Sequence, residues 1–360
     1  GANRSDMQAT AFPIWNLHEK SKGWQEAMFL AADRIEQAQR ESASVQGAQS
    51  ESTTLYMAAD VWTCKSGQWG LGKIFGAFRN PADFVSQLLE FSHTRCFYEI
   101  VRSGRECKAY FDLEAEPGVW TEEQGREKCK LAIRAWEHRV QSRWPAAQMK
   151  CPRCLGHMIL DGSRMTGAGW KVSYHVIYPW LIFPCNTTML KFEAAALSKH
   201  PMFQYVAKNG VVKSFVDPAV YTNNRQFRML VSYKLSDKTR TALRLSSSPT
   251  MRAFLNSCIT CIGPTVWRVP AESIPRAVHP CRTLANGSAK RLTRPATRLI
   301  TDESEPMFFI KTCLRAQGHP EGHLTLTGDR TSYRWETSAG MARPCQTAQI
   351  WRPLQPEHRL

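Results

Sequence analysis

The sequence predicts an α+β fold with a mixed or antiparallel sheet flanked by helices, and three observations predict it. Apolar runs of strand length and amphipathic runs of helix length follow one another without the regular alternation that a parallel sheet needs. One run, Cys129, Ile133, Trp136, Val140 and Trp144, advances by four, three, four and four residues, so its apolar side chains share one face of a long helix. From about Pro264 the periodicity fades into Pro, Ser, Thr and Arg, which marks the end of the packed region.

In chain order, Trp24, Met28, Ala31 and Ile35 have the spacing of one helical face, so residues 1–50 are read as an N-terminal helix running into a polar linker from Gln39 to Thr54. Strands are expected at Thr54–Trp62, Gly72–Phe78, Arg95–Val101 and Cys107–Glu114, with a helix at Pro81–Phe91 that has Pro at its start. Further strands are expected at Gly156–Asp161, Trp170–Tyr178, Lys213–Asp217 and Gln226–Lys234, and helices at Asn186–His200 and Pro249–Ile262. Residues 51–263 thus form the packed core, 264–305 a tether, and 306–360 a small, poorly specified basic C-terminal segment.

The 360 residues include 47 Lys and Arg against 31 Asp and Glu, a net charge of +16 that points to a polyanionic partner. No run of about 18 or more apolar residues occurs, so no membrane span is expected. The 12 cysteines lie scattered through core-like runs, the pattern of reduced thiols in an intracellular compartment.

Three polar constellations interrupt these apolar runs. In Cys107-Lys-Ala-Tyr-Phe-Asp-Leu-Glu114, strand alternation puts Tyr110, Asp112 and Glu114 on one face and Ala109, Phe111 and Leu113 on the other, toward a core. Two carboxylates so close repel unless a cation lies between them, although acid-x-acid pairs also occur on solvated strand edges. In Trp170-Lys-Val-Ser-Tyr-His-Val, residues Lys171, Ser173 and His175 form a polar stripe able to hold phosphate, or to line a wet edge. In the third, Asp217 ends an apolar run ahead of Pro218, which is also how a turn opens. Arg225, Gln226, Arg228 and Lys234 follow, and the even spacing of Arg228 and Lys234 on a strand would let both face one groove. Three acids beside several cations suit phosphoryl transfer.

In this order the motifs resemble the eukaryotic primase-polymerase (PrimPol) branch of the archaeo-eukaryotic primase superfamily. The resemblance rests on Tyr-Phe-Asp-Leu-Glu at 110–114, Lys-x-Ser-x-His at 171–175, and Val-Asp-x-x-Val-Tyr-Thr-x-Asn-Arg-x-Phe-Arg at 216–228, with weaker echoes at Pro13-Ile14-Trp15 and Cys96–Ile100. It implies the superfamily's catalytic core, and template-directed extension of DNA primers from dNTPs, with NTPs as the further option. Asp112, Glu114 and Asp217 match the catalytic, metal-binding acids, which would hold two Mg2+ or Mn2+ ions. Lys171, Ser173, His175, Arg228 and Lys234 match positions that grip the triphosphate, and Arg225 and Gln226 match a segment near the nucleic acid. The resemblance further implies a DNA template-primer as partner, damage-tolerant replication, a monomer, a replication-factor or single-strand-binding contact through the C-terminal tail, and residence in the nucleus or mitochondrion.

Two features depart from that family. Its C-terminal zinc finger, associated with starting chains de novo, has too few ligands here: Glu336 follows Ser332–Trp335 where a first Cys is expected, and only Cys345 lies downstream. Primer initiation is therefore expected to be weak or absent. Cys151, Cys154 and His157 could form a zinc knuckle, and Cys258 with Cys261 a second pair, but zinc is not the favoured reading, because the second pair lies in an apolar run where thiols serve as small core residues. The competing function is a non-catalytic single-stranded-DNA-binding or fork-tethering protein.

Overall fold

The computed structural model describes residues 15–17, 29, 33, 37, 54–65, 68–78, 81–89, 96–145, 153–189, 194–237, 241–270, 322–326 and 333–337. They form an α+β structure with mainly antiparallel sheets and few helices. The chain divides into two compact units, one containing Ala58–Ala77 with parts of both chain ends, the other Glu51–Met57 and Phe78–Thr293.

In the first unit, β1 (Trp15–Leu17) pairs antiparallel with β3 (Gln68–Phe78), Trp15 opposite Phe75. β2 (Leu55–Lys65) lies on the other side of β3, and Asp60 forms an ion pair with Lys73. The Trp15 segment is therefore a strand where the sequence suggested only helix; Phe29, Asp33 and Gln37 are helical, with Phe29 buried and Gln37 exposed. Two strands of the C-terminal segment, Gly322–Leu326 and Tyr333–Thr337, pair antiparallel; Cys345 lies outside the described residues.

The second unit carries the motifs. Its helix α1 (Pro81–Leu89) starts on Pro81, as expected, and Phe84 stacks on Phe78 and meets Phe97 edge-on. β4 (Phe97–Val101) and β5 (Cys107–Ala115) follow, then α2 (Glu122–Arg143). Thr121 and Gln124 form a capping box at the start of α2, and Cys129, Ala132, Ile133, Trp136 and Val140 bury the predicted face. Gly125 on that face lets the helix approach the sheet: a Cβ there would lie 2.4 Å from Val172 Cγ2.

The sheet beneath α2 is organised by one long strand, β8 (Gly169–Phe183). β5 pairs antiparallel along one edge; β7 (Arg164–Thr166), β6 (Met158–Asp161) and β12 (Trp267–Arg268) share the other. Phe111, Trp136, Tyr178 and Phe183 pack edge-on or tilted between sheet and helix. The β5–β8 register shifts at Lys108/Ala109, next to Pro179, which has no amide hydrogen to give the ladder.

Beyond β8 lie the short helices α3 (Asn186–Met189) and α4 (Ala195–Lys199), the hairpin β9 (Gln204–Val206) and β10 (Val212–Ser214), then β11 (Arg225–Arg228), which pairs with β4, and α5 (Met251–Ser257). Two expected boundaries are corrected. The strand expected over Gln226–Lys234 stops at Arg228, because the chain turns at Met229–Ser232, where Val231 has a left-handed φ of 55°. The expected tether from Pro264 begins instead with β12, whose Trp267 packs on Trp144 while Val269 N–H donates to Ile182 at 2.9 Å. No helix among the described residues is long and apolar enough to cross a membrane.

Two buried ionisable side chains, one on β5 and one on β4, tie down the chain at the end of α5. Lys108 Nζ donates to the carbonyls of Leu255, Asn256 and Cys258, while Glu99 accepts from Ile259 N, Thr260 N and Thr260 Oγ1. Both side chains are about 1 % exposed. Replacing Glu99 by Ala removes the acceptor of the buried Ile259 and Thr260 amides and of the Thr260 hydroxyl, and should cost about 3–5 kcal/mol of folding stability, measured as a lower urea midpoint. Replacing surface Glu123 by Ala should leave the midpoint almost unchanged.

Candidate active site

β5 shows the predicted alternation from Phe111 to Ala115: Phe111, Leu113 and Ala115 are buried, Asp112 and Glu114 half-buried. Tyr110 corrects the pattern. It shares the acidic face but is fully buried, its hydroxyl donating to the Val220 carbonyl at 2.8 Å and its ring meeting Tyr221 and Phe227.

The second motif lies directly across from the first, on the central strand and not on a wet edge. β8 places His175 opposite Asp112 and Ser173 opposite Glu114, and both His175 and Ser173 are buried. Lys171, one step further along the same face, brings Nζ to 2.5 Å from Glu114 Oε1. Lys171 thus neutralises one of the acids in this structure, instead of standing apart as a phosphate clamp.

The third acid arrives through backbone hydrogen bonds on the opposite edge of β5. Glu114 N–H donates to the Phe215 carbonyl at 2.9 Å, and Asp217 N–H donates to the Asp112 carbonyl at 2.9 Å, so the Leu113–Val216 bridge sets Asp217 beside Asp112. Asp217 also opens a turn: its Oδ1 accepts from Ala219 N–H and caps the short 3-10 helix Pro218–Tyr221. The turn and the meeting with Asp112 coexist.

Arg228 on β11 is buried, with Nε and Nη1 lacking hydrogen-bond partners. Lys234 is exposed and comes off the turn beyond β11, not from the same strand, yet its charge acts on Asp112, Glu114 and His175. Arg225 and Gln226 are half-buried opposite Val101 and Ile100, and Arg225 Nε is buried without a partner. Sequence reasoning missed Gly162, in the turn between β6 and β7. A Cβ there would lie 3.0 Å from Leu243 Cδ2 and 3.4 Å from both Arg228 Nη2 and Ser173 Oγ, so this glycine borders the site and a larger residue would press on Leu243. The Asp161-Gly162-Ser163 triplet was its only signal. It missed Arg164 as well, whose guanidinium pairs with Asp237 at 2.6 Å beside this turn.

These neighbours set the protonation of the site. Burial, then the charges of Glu114 and Asp217, push Asp112 up from 3.8 to about 7. Burial works against the Glu114 carboxylate too, but Lys171 and Lys234 outweigh it and hold the group below its ordinary value. Burial, with Arg228 and Lys234, drives His175 well below its ordinary value, so its imidazole is neutral. The 3.9 Å between His175 Nε2 and Asp112 Oδ1 is accordingly neither an ion pair nor a hydrogen bond. The ring instead lies 4.1 Å from that of Phe227, centroid to centroid.

Among the described residues, no three His, Cys, Asp or Glu side chains are gathered tightly enough to hold a metal ion as they stand. The donors still suit hard divalent cations: Asp112 Oδ1 is a buried acceptor without a partner, and two further carboxylates lie within electrostatic reach. Glu114 would have to exchange Lys171 for the cation. Of the candidate zinc ligands, Cys151 lies outside the described residues, Cys154 is buried, and His157 Nδ1 is 3.0 Å from Glu137 Oε1.

Comparison with protein-family models finds no match, and neither does comparison with curated proteins.

The raised Asp112 group has a definite sign in stability. A carboxyl that titrates higher in the folded chain favours folding at acid pH, and that contribution is lost as pH rises from about 4 through about 7. Asp112→Asn, uncharged and of similar shape, should therefore stabilise the metal-free chain by on the order of 1–3 kcal/mol near pH 8, with the gain vanishing near pH 4. Urea titrations in EDTA across that range check this.

Proposed function

We propose that this chain is a template-directed DNA polymerase of the primase-polymerase type, which extends primers by nucleotidyl transfer in damage-tolerant replication and starts chains weakly or not at all. The observation that carries this reading is the meeting of Asp112, Glu114 and Asp217, from two distant parts of the chain, beside the buried and incompletely partnered Arg228. Mutually repelling carboxylates next to unsatisfied cations are costly in a folded protein unless a ligand of both signs completes them. A nucleoside triphosphate with its divalent cations has that composition.

Each residue then has a task. Asp112, Glu114 and Asp217 would hold two Mg2+ or Mn2+ ions, which supply charge neutralisation on the triphosphate and activation of the primer hydroxyl. Arg228 and Lys234 offer fixed positive charge to the phosphate oxygens, and Lys171 joins them once Glu114 releases it. Ser173 offers a hydroxyl and the neutral His175 a single N–H donor, both held by the central strand. Arg225 and Gln226, on the half-buried strand β11, are the proposed contacts to nucleic acid. The net charge of +16 supplies the sequence-independent attraction to DNA.

The intact acid set separates this reading from a purely DNA-binding protein, which gains nothing from carboxylates facing a polyanion. The deciding measurement is extension of a labelled primer on template DNA with dNTPs and Mg2+ or Mn2+. Asp112→Ala should lose extension by at least about a thousandfold while retaining DNA binding; unchanged extension would refute the assignment. Arg228→Met should raise the KM for dNTP more than tenfold and leave primer-template affinity nearly constant, as measured by fluorescence anisotropy.

Protons and metal ions compete for Asp112, so extension should rise with pH up to about 7 and then level off. Raising the Mn2+ concentration should move that rise to lower pH. A pH profile indifferent to the metal concentration would remove Asp112 from the ligand set.

A further inference from the structure

Arg164 has no task in the chemistry above, yet the fold brings it to the same place as Arg228 and Ser173. β7 pairs with β8 so that Arg164 lies directly opposite Lys171. Residues opposite each other in an antiparallel pair project from one face of the sheet, so Arg164 shares the face of Lys171, Ser173 and His175. The turn that carries it is fastened to Ser173: Gly162 N–H donates to the Ser173 carbonyl at 2.8 Å, and Ser163 Oγ accepts from Ser173 N–H at 2.9 Å. Arg164 Nη1 donates to the Gly162 carbonyl at 3.3 Å. Arg228 Nη2 and Ser173 Oγ approach the same glycine, each 3.4 Å from where a Cβ would lie. Two guanidinium groups and a hydroxyl thus converge on Gly162.

Their charges are unequally met. Arg164 Nη2 pairs with Asp237 Oδ2 at 2.6 Å, while Arg164 Nε is buried without an acceptor. Arg228 is 6 % exposed, and its Nε and Nη1 also lack acceptors. Asp237 closes a turn by donating its N–H to the Lys234 carbonyl at 2.8 Å, so its pairing with Arg164 fastens that turn to β7. Fastening needs only one cation facing one anion. It does not call for a second guanidinium at the same glycine, which is costly out of water unless an anion lies against both. The Arg164 side chain, 16 % exposed, is not sealed from solvent.

Position suggests which anion fits. β5, with Asp112 and Glu114, lies along one edge of β8 and β7 along the other. The Arg164 backbone is therefore two strand spacings, about 10 Å, from the strand that bears these acids. A nucleotide whose reacting phosphate lies over the acids extends its tail across β8 toward Gly162. We infer that Arg164 is a specificity-determining residue that binds the terminal phosphate of a nucleoside triphosphate together with Arg228, with Asp237 as its resident counter-ion. The inference rests on the reading of this site as one for a metal-bound triphosphate. It adds a residue that discriminates a triphosphate from a monophosphate, because a single phosphate over the acids does not reach it.

The test is calorimetric titration of the full chain with inorganic tripolyphosphate and, separately, with dAMP, both in Mg2+. Arg164→Met should weaken tripolyphosphate binding at least about tenfold and leave dAMP binding within about twofold. Asp237→Asn keeps the shape of the counter-ion and removes its charge, so it should tighten tripolyphosphate binding at least about threefold. The opposite signs exclude a structural tie, whose loss from either side would weaken binding alike. Weaker or unchanged binding in Asp237→Asn, unchanged binding in Arg164→Met, or no binding of tripolyphosphate by the unaltered chain would each overturn the inference. If Arg164→Met fails to fold, Asp237→Asn decides alone. Primer extension separates this result from the reading beneath it. A chain that shows these affinities but extends no primer sinks the polymerase assignment and keeps the phosphate role of Arg164. A chain that extends primers while Arg164→Met leaves the KM for dNTP unchanged does the reverse.

Discussion

The site depends on the cross-strand register of β5 and β8. Because Asp112 lies opposite His175 and Glu114 opposite Ser173, two motifs distant in the chain become neighbours on one face, and a slip of one residue would turn one of them into the core. Three things hold the register. Phe111 is committed to Trp136 beneath the sheet, Tyr110 on the opposite face is committed to Tyr221 and the Val220 carbonyl, and the irregularity near Pro179 absorbs the mismatch at the far end. Both faces of β5 are thus filled, and only Asp112 and Glu114 retain access.

Electrostatically the site is unfinished. The same burial that raises Asp112 leaves its Oδ1 without a donor and Arg228 with two nitrogens lacking acceptors. The two do not quench each other, because strands β5 and β11 fix their backbones separately. Glu114 and Lys171, with the freedom of longer side chains, do pair. The rigid groups are left wanting partners while the flexible ones satisfy themselves.

Much of this was legible in the sequence because it follows local periods. The stripe from Cys129 to Val140 gave α2, alternation gave the two faces of Phe111–Ala115, and Pro81 marked the start of α1. What escaped was non-local or too short to show a period. Nothing in the pattern shows Asp217 docking its amide on the Asp112 carbonyl, since that contact belongs to the fold. Strand alternation carried through Met229–Lys234 overlooked that Val231 adopts a left-handed conformation, which valine disfavours and only its surroundings can impose. Tyr110 was grouped with the acids by parity, yet the turn Asp217 opens supplies the cover that buries it.

The two residues of β12 were lost in the same way, sitting in a stretch whose composition reads as tether. Their role exceeds their length. They occupy the outer side of β8 at Leu181 and Ile182 and lay Trp267 over Trp144. Were the chain shortened where its hydrophobic rhythm fades, β8 would present bare amides and carbonyls next to uncovered indole, a sticky margin suited to recruiting a neighbour's strand. The exposed margin of the motif-bearing sheet is thus covered by a dipeptide that resembles linker.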